Sequence, residues 1–237
     1  MKTKPEFIKI VTGALMLVYA HRFILLKALL LPFIMLLAID AVSYYAASSN
    51  VTWLLLIPEL AVYTVFAIII HRVILLGPES VPKWGIRLWS LRELYFLFHL
   101  IAITIVSMAF MFTSIFIPYV GIVPGLIVTF YLFIRLSLVF PASAIDHGVT
   151  FKTSWTLTKK HQLLMLYIII LAPILFGIPT LLAGLITGAY WVTSVIDMFV
   201  TVYVVSSLSL AYSEILKFEN TASNRLNQAG AENAPSG

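Results

Sequence analysis

Continuous apolar runs of about 20 residues constrain this chain more than any other feature. Six are read, at Ala28–Ala47, Val51–Ile70, Leu94–Ile117, Gly121–Phe140, Leu163–Thr187 and Tyr190–Tyr212. A helix rises about 1.5 Å per residue and a bilayer core is about 30 Å thick, so each run is long enough to be a crossing. The runs lack the two-residue alternation of transmembrane barrel strands. Only 11% of the residues are charged and 61% are hydrophobic, against roughly 25% charged in soluble domains. With so little polar surface to turn toward water, the expected fold is all-α. It is a polytopic membrane bundle of about six transmembrane helices, forming one domain over residues 1–217.

The loops give the bundle a direction. Ser48-Ser49-Asn50, Pro118-Tyr119 and Gly188-Ala189 join alternate spans without a Lys or Arg, and all 15 basic residues lie on the opposite side. Because basic residues are retained in the cytoplasm, both termini are expected there, in a bacterial inner membrane. The net charge of +5 follows from that bias and does not imply nucleic acid. Trp53 and Trp191 open two spans on one side, while Trp84, Trp89 and Trp155 lie on the other. Indoles favour such half-wet positions. Tyr44, Tyr45, Tyr119 and Tyr190 extend the outer belt.

Met1–Ala20 has a basic start and an apolar run ending in Val18-Tyr19-Ala20, which fits a secretory signal. Cleavage there would leave Arg22 and Lys27 outside. The favoured expectation is an uncleaved, in-plane amphipathic helix with Glu6, Lys9 and Gly13 as a narrow polar stripe. Cytoplasmic interfacial helices are expected in the two longer basic loops. Thr150–His161 reads as one of them, turning Phe151 and Trp155 toward lipid, with Lys152, Lys159 and Lys160 as a cytoplasmic interface. Residues 218–237 are polar and read as a disordered cytoplasmic tail.

Ionisable residues are costly inside a bilayer and so mark sites or interhelical bonds. Asp40, Glu59 and Asp197 each fall roughly 10 Å below the outer surface by residue counting. They are either a converging trio that holds a proton or cation, or separate acids bonded to neighbouring hydroxyls. Arg135 and His99 lie near the inner surface. Arg135 is expected to snorkel to headgroups, and His99 to be a satisfied interior histidine. Pro173, Gly177 and Pro179 make the fifth span the least regular.

Catalytic signatures are missing. The chain has no cysteine, no Walker-type loop, no Gly-x-Ser-x-Gly elbow and no His pair at metal spacing. No cofactor is expected, and an enzyme is unsupported. Asp146-His147 is adjacent in sequence, and Asp146 is expected to cap the following helix.

The most distinctive text is Arg135-Leu-Ser-Leu138-Val-Phe-Pro141, followed by Ser154-Trp155-Thr-Leu157-Thr158-Lys159. Its Arg-x-x-Leu-x-x-Pro has an echo at Arg72–Pro78. This text resembles the YciC-like bacterial inner-membrane proteins and the membrane domain of glycerophosphodiester phosphodiesterases. The resemblance implies a six-helix membrane fold with cytoplasmic amphipathic elements and brings no catalytic residue. Two functions are carried forward. One is a non-enzymatic scaffold, assembly or lipid-organising module whose partners are membrane lipids, anionic headgroups among them, and other membrane proteins. The other is a small proton- or cation-linked transporter or permease.

Overall fold

The computed structural model describes residues 7–45, 51–85, 89–116, 122–148, 150–187 and 190–232; the side chains of 51–53, 187, 190 and 222–232 are not part of that description. The three short loops used to orient the chain, and Glu6, Arg87 and Tyr119, lie outside the described residues. All regular elements among the described residues are helical. They are α1 (Phe7–Ala20), α2 (Arg22–Tyr45), α3 (Val51–Leu76), α4 (Leu91–Ser114), α5 (Ile122–Leu136), α6 (Val139–Ala144), α7 (Phe151–Lys159), α8 (Gln162–Leu166), α9 (Ala172–Thr187) and α10 (Tyr190–Glu232). A 3-10 turn at Pro78–Ser80 and a π turn at Tyr167–Leu171 complete the list.

Among the described residues, five segments are long and apolar enough to cross a membrane: Arg22–Tyr45, Leu54–Leu76, Leu91–Ser114, Gln162–Ile186 and Trp191–Thr221. The expected fourth span is shorter than anticipated. α5 has 15 residues, about 22 Å of helix. Pro141 accounts for the break. A proline has no N–H for the carbonyl four residues back, and its ring crowds that carbonyl. Four residues back from Pro141 is Ser137, and α5 ends at Leu136, just before it. The echo behaves alike: α3 ends at Leu76, Gly77 takes φ 89°, and Pro78 opens the 3-10 turn.

α10 is the shared wall of two apolar clusters. On one side Leu208, Ala211, Tyr212 and Ile215 pack with Ile10, Ile134, Leu138, Leu164 and Met165. On the other, Val202 joins Leu29, Leu36, Phe66 and Ile70 from α2 and α3. Ser206, Ser207, Ser209 and Ala211 are completely buried. Small residues let membrane helices approach closely, where dispersion contacts rather than water exclusion supply the attraction. α4 and α5 use the same device: a Cβ on Gly125 would sit 2.3 Å from Ser114 Oγ. Outward, Leu163 and Ile186 are 83% and 81% exposed, a surface that lipid suits and water does not.

Two expectations about the periphery change. α1 does not carry a clean polar stripe. Lys9 is exposed, but Gly13 faces Leu210 of α10, and Ile10 and Ala14 are buried beside it. α10 runs unbroken to Glu232, through residues expected to be a disordered tail. That stretch carries Ala222, Arg225, Leu226, Gln228, Ala229 and Ala231, has no proline before Pro235, and continues a helix already nucleated in the bundle. Lys160 also ties to Glu219 at 2.7 Å. The fifth span is irregular, as its prolines suggest. Ala172 N–H bonds back five residues to Tyr167 O, opening a π turn just before Pro173.

Candidate functional site

Connectivity and contacts define two ends of the bundle. Ser194 of α10 meets Asp40 of α2 at one end, the acid end. Arg72 and Arg92 meet Asp146 at the other, the basic end.

At the acid end a cavity of about 460 Å³ opens between α2, α3 and α10. Asp40 and Asp197 line it from two different helices, and Ser194 Oγ donates to Asp40 Oδ2 at 2.8 Å. Helical periodicity explains the α10 contribution: Ser194, Asp197 and Thr201 recur at spacings of three and four, which stacks them on one face. α2 supplies Phe33, Leu37 and Asp40 by the same rule. Tyr63 and Phe66 close the α3 side. Glu59 does not line the cavity. It sits one turn from Tyr63, close enough to feel the charge of Asp40. Tyr63 is within electrostatic reach of all three carboxylates. Two acids therefore converge on the cavity, and the third lies outside its lining. Among the described residues, no Lys or Arg lines the space.

Such a cavity offers carboxylate oxygens, hydroxyls and aromatic faces in a low-dielectric wall. Each favours positive charge: carboxylates by Coulomb attraction, and Tyr44, Tyr63 and Phe33 by their ring quadrupoles. A compact multidentate metal centre is a different matter. Among the described residues no three His, Asp or Glu side chains cluster closely enough for one.

At the basic end the distinctive sequence text becomes a single structural device. The break after α5 frees the Arg135 carbonyl, and Ser154 Oγ donates to it at 3.0 Å. Thr158 Oγ1 lies at the same distance, with its one proton shared between that carbonyl and Ser154 O at 2.9 Å. Their spacing of four places both hydroxyls on one face of α7. Between them Trp155 lies over the Arg135 guanidinium, 4.5 Å from ring centroid to Cζ, with Tyr131 behind at 5.8 Å. Arg135 is 1% exposed, so it does not snorkel as expected. Its Nε and Nη1 find no hydrogen-bond partner among the described residues, which leaves the aromatic faces as its support. Trp155 consequently turns inward in part, and Phe151 packs edge-on against His99 at 4.9 Å. Lys152 and Lys159 stay exposed, while Lys160 is engaged by Glu219.

Asp146 does not cap the next helix. Thr150 does, accepting the Thr153 N–H. The Asp146 carboxylate instead lies 3.4 Å from Arg72 Nη1 and 3.4 Å from Arg92 Nη1, on a backbone with φ 60°. Both guanidinium groups are anchored elsewhere. Arg72 Nε donates to Ser80 O, and Arg92 pairs with Glu93 at 2.6 Å. His99 Nδ1 is 2.6 Å from Tyr95 O, the satisfied histidine expected. Beside it Ser143 Oγ stands 3.4 Å from the same nitrogen, which a backbone carbonyl already occupies, so no Ser–His nucleophile forms.

Sequence reading missed His71. It is buried in α3 with Nδ1 2.7 Å from Ser209 Oγ. Ser209 spends its one proton on Val205 O at 2.8 Å, so His71 Nδ1 is the donor between them. The serine-rich run of the last span was the available signal. Nothing in the spacing of 72, 92 and 146 announces the arginine pair on Asp146.

No family model, curated protein or solved structure matches this chain.

Proposed function

We propose that the protein is a small multi-pass transporter of the bacterial inner membrane, with both termini cytoplasmic, that moves a proton or monovalent cation by way of Asp40 and Asp197. The observation that carries this reading is the convergence of those two acids, from α2 and α10, on one cavity that no basic residue lines among the described residues. The one-sided distribution of Lys and Arg supports this orientation, in which the cavity faces the periplasm. In the α5–α7 device, the resemblance to YciC-like proteins rests on residues that are used structurally.

The scaffold reading draws less support. It asked for a free cytoplasmic patch of Lys152, Trp155, Lys159 and Lys160. Trp155 is stacked on Arg135 and Lys160 is paired with Glu219, so two of its four residues are engaged within the protein.

Cation binding tests the proposal. Sodium, potassium and tetramethylammonium are titrated into purified protein while thermal unfolding is followed. At least one should raise the midpoint of the wild type and leave the Asp40→Asn/Asp197→Asn double variant unmoved. Equal responses from both proteins at every cation would reject the site.

A further inference from the structure

Another cavity lies at the basic end, about 580 Å³ between the start of α4 and the segment joining α6 to α7. Its walls differ in chemistry. Leu91, Tyr95 and Phe98 form one side, and they are 70%, 60% and 61% exposed, so this wall continues onto the apolar flank of the bundle. The other side holds Arg92, Asp146 and His147. A lipid-facing apolar wall that meets a polar end is the shape of an amphiphile site. The polar end sets the sign of the headgroup.

Arg92, which lines the cavity, and Arg72, which stands outside its lining beyond Asp146, come from different helices. They direct one nitrogen each at the same carboxylate oxygen, Oδ2 of Asp146, Arg72 Nη1 also donating to Ala144 O at 3.2 Å. Two guanidinium groups held apart by their own anchors and converging on one anionic oxygen make the arrangement that receives a phosphate. Asp146 is a loose occupant of that position. Both distances are 3.4 Å, its side chain is 60% exposed, and its residue sits in the left-handed region. A firm Arg–carboxylate pair is shorter, about 2.7–2.9 Å. The neighbouring Arg92–Glu93 pair, at 2.6 Å, shows the contrast within one residue.

We infer that this cavity binds the phosphodiester headgroup of an anionic phospholipid, that Arg92 and Arg72 receive the phosphate, and that the Asp146 carboxylate holds the place when no lipid is bound. The acyl chains leave along Tyr95 and Phe98, and His147, fixed by Tyr212 at 3.1 Å, borders the headgroup. Basic pockets between membrane helices on the cytoplasmic side bind anionic headgroups for the same electrostatic reason. The inference is independent of the cation site at the other end.

Asp146→Asn is the decisive variant, because it removes the competing charge while Asn tolerates the left-handed backbone. Lipid retention is read by native mass spectrometry on the full-length protein. The probes are phosphatidylglycerol, phosphatidylcholine with matched chains, and inorganic phosphate. The wild type should retain phosphatidylglycerol over phosphatidylcholine. Asp146→Asn should raise the phosphatidylglycerol affinity about three- to fivefold, the size expected for a partly exposed ion pair. Glu79→Gln, an acid removed from the same end outside the cavity, should leave it unchanged, and Tyr95→Ala should lower it. Equal retention of the two lipids, no gain in Asp146→Asn, or an equal gain in Glu79→Gln would overturn the assignment. So would inorganic phosphate competing as well as the lipid, which would make the ligand a free phosphate.

Discussion

Arg135 shows how far a single residue departs from its generic behaviour in a membrane. A long cationic side chain near a helix end would ordinarily reach for headgroups. Here the backbone of the same residue is the anchor for α7, through Ser154 and Thr158, and that places Trp155 over the guanidinium. Ser154 donates to a carbonyl that has lost its helical partner, and Thr158 shares its proton between that carbonyl and Ser154 O, so removing both leaves a buried acceptor bare. Ser154→Ala/Thr158→Ala should cost about 1–3 kcal/mol of stability, read as a lower resistance to denaturation in detergent. Thr156→Ala, which removes an exposed hydroxyl bonded only within α7, is the matched control and should be near neutral. A double variant as stable as that control would contradict the role given to the motif. The sequence displayed every residue of this device. What it could not display was that a carbonyl, a ring and two hydroxyls would meet, because the meeting depends on how α7 folds back under α5.

At the scale of elements, the pattern of apolar runs predicted the long helices well, since length and hydropathy are one-dimensional properties. Boundaries set by proline were legible too: the ends of α3 and α5 follow from Pro78 and Pro141. The polar end of α10 was harder. Composition there favours disorder in isolation, whereas a helix growing from a packed bundle has no nucleation cost to meet. The π turn of the fifth span is the local answer to Pro173. Ile169 lies four residues before it, and its carbonyl can neither find an N–H at the proline nor avoid the ring. Widening the preceding turn relieves the crowding, and such turns recur at functional sites. Replacing Pro173 by Ala should let an ordinary α turn form, with slower amide hydrogen exchange over Tyr167–Ala172. Exchange as fast as in the wild type would show that the π turn has another cause.

The whole molecule carries its polar chemistry at its two ends. Carboxylates gather where α2 and α10 meet, and arginines gather where α3 and α4 meet the segment after α6. α10 spans the distance between them, with Ser194, Asp197 and Thr201 at one end and Tyr212, bonded to His147, at the other. Between lie Ser209 and the buried His71. The residue types within the apolar helices were visible in the sequence. Their convergence was not, because facing positions on α2 and α10 are 154 residues apart for Asp40 and Ser194, and no periodicity within one helix reports on another. Flux through protein reconstituted into vesicles addresses the central claim most directly. Proton and sodium movement is followed under an imposed gradient, comparing the wild type with Asp40→Asn/Asp197→Asn and with the conservative Asp197→Glu. The account predicts flux in the wild type, retained in part by Asp197→Glu and lost at least about tenfold in the double variant, about 1.4 kcal/mol or more of barrier. Wild-type flux in the double variant would contradict it.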